Sequence, residues 1–543
     1  MKRSKHYPTI ETSYYRPEID SCLGCGKELE RSHTAWRKTV NSMTGASKIY
    51  NQAYRCSDRE NCPYPDRVYR SAYADGLSMP YQTYGLDVVV YIGQQRLRQH
   101  RTIPEIHQAL NGGQYEVPFS ERHVENLFDT YLVLTKCSHG ERIKKYRAEI
   151  EANGGVVLAI DGAKPEKGQP GLYIFRDALS GCRLHSAVLF SADNESLAAE
   201  LRKVVKLGLP VQAIISDDEL ATVAAVKAVF PDKPHGLCHI HFLKAAQRPV
   251  YEADQRLAKE LKRPVRELTK VERLLRHHPD VVADLSASQR QALKRYLNAM
   301  RPVLLTKGKA PFRLAGCQIY EALQRLTDSL QRSACKQTHP VLTRLQSLVH
   351  AYHDHHDTYL HVQAQQQWFL GLADLLDVPL TEQQQWPTFT GAEVAQAVDD
   401  YLDSLQQLTD QLQPHAPFFN HLHKRFQQWA PGLFWTYAIP ALPRTNNDLE
   451  VDIGNIKEQY RRITGRRTLK DYLMRYGPYL TFDDERDDPD ELLRWFQLVD
   501  ADSFASEKAK LDAMREHLRH MHRFRQAPDS FLAETEQLWG DPP

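Results

Sequence analysis

From residue 243 to residue 440 the sequence carries no strand signal. Stretches such as "SASQRQALKRYLNAM" and "VLTRLQSLVHAYHDHHDTYLHVQAQQQWFLGLADLL" are rich in Gln and Leu at helical spacing. A structureless loop of that length does not fit a compact protein, so the segment is expected to be an all-α insertion. Residues 155–242 differ. "GGVVLAIDG" and "PVQAIISDDE" are short apolar runs ending in carboxylates, as buried strands do, and "LYIFRDALSGCRLHSAVLF" is two strands about the turn "ALSG". Helical stretches at 195–207 and 219–229 separate them. Strands alternating with helices predict a mixed α/β sheet. A chain of 543 residues also exceeds what one core serves.

Ahead of this sheet, residues 15–75 are poor in apolar side chains and hold four of the nine cysteines. Cys22 and Cys25 are spaced C-x2-C beside Gly24 and Gly26, and Cys56 and Cys62 follow in "YRCSDRENC". Thiolates at such spacing occupy corners of a tetrahedral zinc site, and a segment this short of apolar side chains needs a staple. His33 is an alternative fourth ligand, and four unligated cysteines in a small basic module are the competing reading. Residues 84–135 read as helices. "TIPEIHQAL" opens with Thr102 and Glu105 in capping-box positions, "NGG" breaks it, and a second helix restarts at Ser120. Two short capped helices about a turn form a helix-turn-helix pattern, or a plain helical hairpin. Arg122, His123 and Asn126 lie on the exposed start of the second helix.

Net charge is only +2, but residues 1–150 carry 22 Lys and Arg against 17 Asp and Glu. Basic patches on a near-neutral chain suit local phosphate contact rather than general adhesion. No apolar stretch approaches the roughly 20 residues that span a bilayer. The N-terminus lacks the apolar core of a secretory signal, so an intracellular protein without membrane contact is expected. The "HDHH" cluster is read as a solvated helix face, and the acidic run at 483–491 as a solvated turn.

Asp161 and Asp217 each end an apolar strand. Such a charge is either a cap at the sheet rim or a site residue, and two converging carboxylates repel unless a cation lies between them. Hard oxygen ligands suit Mg²⁺ or Mn²⁺. Asp218 is the rival for the second position; Asp177 and Asp193 read as turn or cap residues. In "ALPRTNNDLEVDIGNIKEQYRRITGRR", Asn447 and Glu450 have N-cap and N3 spacing for a helix starting at Asp448. Glu450 either closes a capping box or completes a metal site. Lys457 and Arg461 fall on its helix face two and three turns later, placed to grip phosphates.

"AID", "ISDD", "CHIH" and "TNNDLEVDIGNIKEQYRRITGRR", in that order, resemble the DDE transposases of bacterial insertion sequences, in particular the Mutator-like group. The resemblance covers residues 155–242 and 441–470, and the front end by domain order. It implies a ribonuclease-H-like α/β core interrupted by a helical insertion, with Asp161, Asp217 and Glu450 as a catalytic triad binding Mg²⁺ or Mn²⁺. The spacings, 56 and 233 residues, leave room for the insertion. The family's C-x2-H motif corresponds to Cys238 and His241, taken as packing and hydrogen-bonding support. Its trailing cations correspond to Lys457, Arg461, Arg462, Arg466 and Arg467. The implied activity is cleavage at transposon ends and strand transfer into target DNA by a homodimer or larger assembly, in the bacterial cytoplasm. The expected organisation is a zinc-binding module (1–80), a helix-turn-helix domain (81–150), the core in two parts (151–242 and 441–480) around the insertion (243–440), and a helical tail (481–543). A catalytically inactive or exapted DNA-binding regulator is the alternative.

Overall fold

The computed structural model describes residues 10–112, 120–163, 170–376, 389–408, 411–439, 441–466 and 469–540. The chain is mixed α/β. Its elements are β1 (Glu11–Tyr15), β2 (Leu29–Ser42), β3 (Gly45–Cys56), α1 (Ala72–Asp75), α2 (Leu86–Leu97), α3 (Ile103–Asn111), α4 (Glu121–Cys137) and α5 (His139–Ala152). Next come β4 (Val156–Ala163), β5 (Gly171–Asp177), β6 (Arg183–Leu189), α6 (Asn194–Val205), β7 (Val211–Ser216), α7 (Leu220–Val229), β8 (His235–Leu237) and α8 (His239–Val265). Helices α9 to α16 fill the stretch from Leu268 to Ala438. The chain closes with α17 (Asn447–Thr464), α18 (Lys470–Tyr476), α19 (Pro489–Gln497), α20 (Ala501–Met514), α21 (Glu516–Gln526) and α22 (Pro528–Gly540). No helix among the described residues is long and apolar enough to cross a membrane. The chain divides into two compact units, Met1–Gln212 with Asn447–Pro543, and Ala213–Asn446.

In the first unit β2 and β3 form a hairpin closed at Ser42 and Gly45, where Gly45 takes φ +127°. β1 adds to β3 in parallel. This small sheet has two minor apolar clusters, one around the cysteines and one around Val40, Ile49 and Ala74. The predicted capping box on α3 is present: Thr102 Oγ1 accepts from Glu105 N–H, and Glu105 accepts from Thr102 N–H. α2 and α4 cross closely at Gly93, where a Cβ would lie 2.3 Å from the Tyr131 ring. β4, β5 and β6 pair antiparallel with Asp161 opposite Ile174. The apolar runs of β4 and β5 are buried throughout, as expected where both faces of a sheet are covered. Asp177 holds the β5–β6 turn, accepting from Val157 N–H at 2.9 Å and Ser180 Oγ at 2.6 Å, and Asp193 caps α6. Both have the turn and cap roles read from sequence.

The acidic run 483–491 is only in part the solvated turn expected: Glu485, Asp488 and Asp490 are exposed, but Asp483, Asp484 and Asp487 are packed against arginines. Arg142, buried on α5, pairs with buried Asp487 and donates to Phe482 O at 2.6 Å. Arg98 reaches Asp483 at 3.4 Å and Asp484 O at 2.8 Å, while Arg486 grips Asp484 at 2.7 Å. Burial would raise the Asp484 carboxyl, but hydrogen bonds from Arg486 overcome it and hold the group below the ordinary range. Asp483 and Asp487 are packing elements of the first unit because arginines from distant elements neutralise them, while Asp484 is held by Arg486 of the same run.

In the second unit β7 and β8 pair in parallel. β8 is three residues long, too short to stand out in "HGLCHIH". α8 serves two cores. Phe242, Leu243 and Val250 pack into one, and Leu257, Leu261 and Val265 into the other. Buried Asp254 lies between them on α8 and accepts from Cys317 N–H at 2.9 Å, satisfying the N-terminus of α11 (Ala315–Lys336). The described residues of 243–438 form helices and no strand, as the sequence predicted.

Candidate functional site

Cys22, Cys25, Cys56 and Cys62 come together, with their sulfurs all within 4.8 Å of one another. Backbone geometry makes this local. Gly26 at φ +73° closes the knuckle, its N–H donating to Cys22 O at 2.8 Å. At Gly24 a Cβ would sit 2.6 Å from the Tyr64 ring. Cys56 ends β3, and Cys62 follows on the next turn. Cys22 and Cys62 sulfurs are 3.6 Å apart and Cys25 and Cys56 sulfurs 3.3 Å, close to the about 3.8 Å edge that four 2.3 Å zinc–sulfur bonds produce. Gly24 N–H and Tyr64 N–H each point at a sulfur at 3.4 Å. The Tyr69 hydroxyl, followed by the Gly24 N–H, pulls the Cys22 thiol down to about 6. The cluster can hold a metal ion such as zinc. His33 lies exposed on β2, 3.1 Å from Ser32 Oγ, and is not part of it.

The predicted carboxylates divide between the two units. Asp161 lies half-buried on β4, two residues before the strand ends, and accepts from Gly162 N–H at 2.7 Å. Glu450 lies half-buried in the first turn of α17, and α17 packs on β4 within the first unit. The helix begins at Asn447 rather than Asp448, so Asn447 is its first residue rather than its cap. Two residues past Glu450, Asp452 accepts from Arg176 at 2.9 Å and Arg183 at 3.3 Å, which ties α17 to β5 and β6. Sequence reasoning missed this clamp, because nothing in "DLEVDIGN" separates an acid that anchors from one that does not.

Asp217 belongs to the second unit and follows β7 directly; its Oδ1 accepts from Glu219 N–H at 3.3 Å. Its rival Asp218 is bound by Gln428 at 2.6 Å, and burial raises its carboxyl. Ser216 Oγ meets His235 Nε2 at 2.8 Å, and burial lowers the imidazole to about 4. Cys238 is buried at the start of α8. Its N–H donates to Ser216 O at 2.8 Å and its sulfur accepts from Asn446 N–H at 3.4 Å, the hydrogen-bonding support expected of it. His241 is half-buried in the first turn of α8.

Among the predicted cations, Lys457 and Arg461 are exposed on α17 and have no carboxylate partner among the described residues. Arg462 pairs with Glu458 at 2.6 Å and Arg466 with Asp471, an ordinary surface arrangement. Arg467 lies outside the described residues. Arg122, His123 and Asn126 are exposed in the first two turns of α4, as predicted; the link from α3 to Ser120 lies largely outside the described residues. No protein-family model matches the chain, and no curated protein matches it.

Proposed function

We propose that the chain is a DDE transposase that cleaves DNA at transposon ends and joins the freed 3′ ends to target DNA. The observation that carries this reading is the packing of α17, with Glu450 in its first turn, on β4, the strand that bears Asp161. It is supported by the motif order and by the exposed cations Lys457 and Arg461 following Glu450 on one helix face. The antiparallel trio β4–β6, then α6, then the parallel pair β7–β8, suits a ribonuclease-H-like core.

Asp161, Asp217 and Glu450 supply hard oxygen donors suited to Mg²⁺ or Mn²⁺. Such ions, when bound, would lower the pKa of a water and stabilise the leaving oxygen of a phosphodiester. The chain's own residues position the DNA. Lys457 and Arg461 hold phosphates without reading sequence, and Arg122, His123 and Asn126 offer side chains to base edges. Zinc in the four-cysteine module would fix the shape of a further DNA contact. Two ends have to be brought together, so at least a dimer acts on the DNA.

The test is cleavage and joining on duplexes carrying the DNA ends that flank the coding sequence, with Mg²⁺ or Mn²⁺, comparing the native chain with Glu450→Gln and Asp161→Asn. Metal-dependent nicking and joining, lost in both variants while end-binding persists, is the expected result. End-binding without chemistry in the native chain would replace this proposal with a DNA-binding regulator.

A further inference from the structure

The last two helices form a hairpin that is packed at the start of α21 and largely exposed beyond it. Neither α21 nor α22 has a buried residue. Within the hairpin Phe531 meets Phe524 at 5.9 Å and His520 at 6.0 Å, and Arg523 pairs with Glu534. These contacts use one edge of each helix. One flank of the hairpin, by helical spacing about a quarter-turn from these contacts, carries Met521 on α21 and Leu532 and Trp539 on α22. Trp539 is 92% exposed and Leu532 47%. Helices of 11 and 13 residues are marginal in water unless an apolar face is covered.

Charge identifies what covers it. α21, "EHLRHMHRFRQ", is basic, with three arginines, three histidines and one Glu. α22, "PDSFLAETEQLWG", has Asp529, Glu534 and Glu536 and no cation. Glu534 is used within the hairpin. Arg525, beside Met521, and Asp529 and Glu536, beside Leu532 and Trp539, are exposed and have no ion-pair partner among the described residues. A face with a basic half, an acidic half and an apolar centre is complementary to itself after a two-fold rotation. DNA would meet the acidic half and the apolar centre unfavourably.

We propose that α21 and α22 form a self-association element. The hairpins of two copies pack apolar face to apolar face, with α21 of each against α22 of the other and Arg525 of each opposite Asp529 and Glu536 of the other. This surface includes none of Asp161, Asp217 and Glu450, and its test needs no DNA.

The experiment is sedimentation of the full-length chain across the micromolar range, without DNA. The native chain is expected to be dimeric, and Leu532→Glu with Trp539→Glu monomeric. Arg525→Glu alone, and Asp529→Lys with Glu536→Lys, are each expected to be monomeric, because like charges then face each other twice. Mixing these two charge variants is expected to restore a dimer containing one copy of each. All the substituted side chains are exposed, and an unchanged circular dichroism spectrum confirms that the variants fold. A monomeric native chain would overturn the proposal, as would a dimer that survives Leu532→Glu with Trp539→Glu, or charge variants that do not re-pair on mixing.

Discussion

Two stretches of the first unit that lack enough apolar side chains to hold themselves are held in opposite ways. Residues 22–69 fold around four sulfurs within 4.8 Å, close in sequence and shaped by two glycines. Residues 482–487 fold around arginines from other elements, of which Arg142 is 345 positions from its partner Asp487. The first arrangement has a place for an ion from outside the chain. The second is completed within the polypeptide, Asp483, Asp484 and Asp487 each pairing with an arginine. A run of acids can therefore be interior structure, provided that the opposite charges are carried by the elements packed against it.

The largest effect should come from stripping metal from the cysteines. Structural zinc sites contribute about 10–16 kcal/mol in small domains. Chelation is therefore expected to expose the amides of Cys22, Gly26 and Tyr69 to hydrogen exchange while those near Phe482 and Asp487 stay protected. Equal loss in both stretches would break the contrast.

Next in size is Arg142→Met, which leaves Asp487 buried and uncompensated at an expected cost of about 3–5 kcal/mol. Calorimetry should show the first unit melting earlier, with most of the loss recovered in the double variant Arg142→Met with Asp487→Leu. Failure of the second change to recover stability would mean that the pair does more than neutralise itself.

A further effect is a pH dependence. Burial holds His139 at about 3 and His235 and His239 at about 4, below the ordinary 6.5. Below pH 6.5 the unfolded chain takes up these protons first, so stability should fall from about pH 6.5 to about pH 3. His239→Gln, which can keep a donor toward Leu433 O, should flatten that slope in the second unit.

The contrast also explains what was legible in the sequence. The cysteine spacing, the Thr102–Glu105 box, the buried runs of β4 and β7, and the helical character of the described residues of 243–438 depend on neighbours within a few residues. The roles of Asp452 and Asp487 depend on arginines roughly 270 and 345 positions away, so composition alone made the latter's run look solvated. β8 escaped notice because three residues are too few to show a period. Among the candidate site residues, the exposure of Arg122, His123 and Asn126 followed from helical periodicity. The burial of Asp218 against Gln428 did not, because Gln428 lies on a helix 210 positions away.

The most direct test of the proposed catalytic centre is to replace Mg²⁺ by Fe²⁺ and map where the iron, activated by ascorbate and peroxide, cuts the polypeptide. Cuts beside Asp161 and Glu450 that disappear in Glu450→Gln are the predicted result. Cuts confined to residues 483–487, where arginines already hold the acids, or no cuts at all, would contradict it.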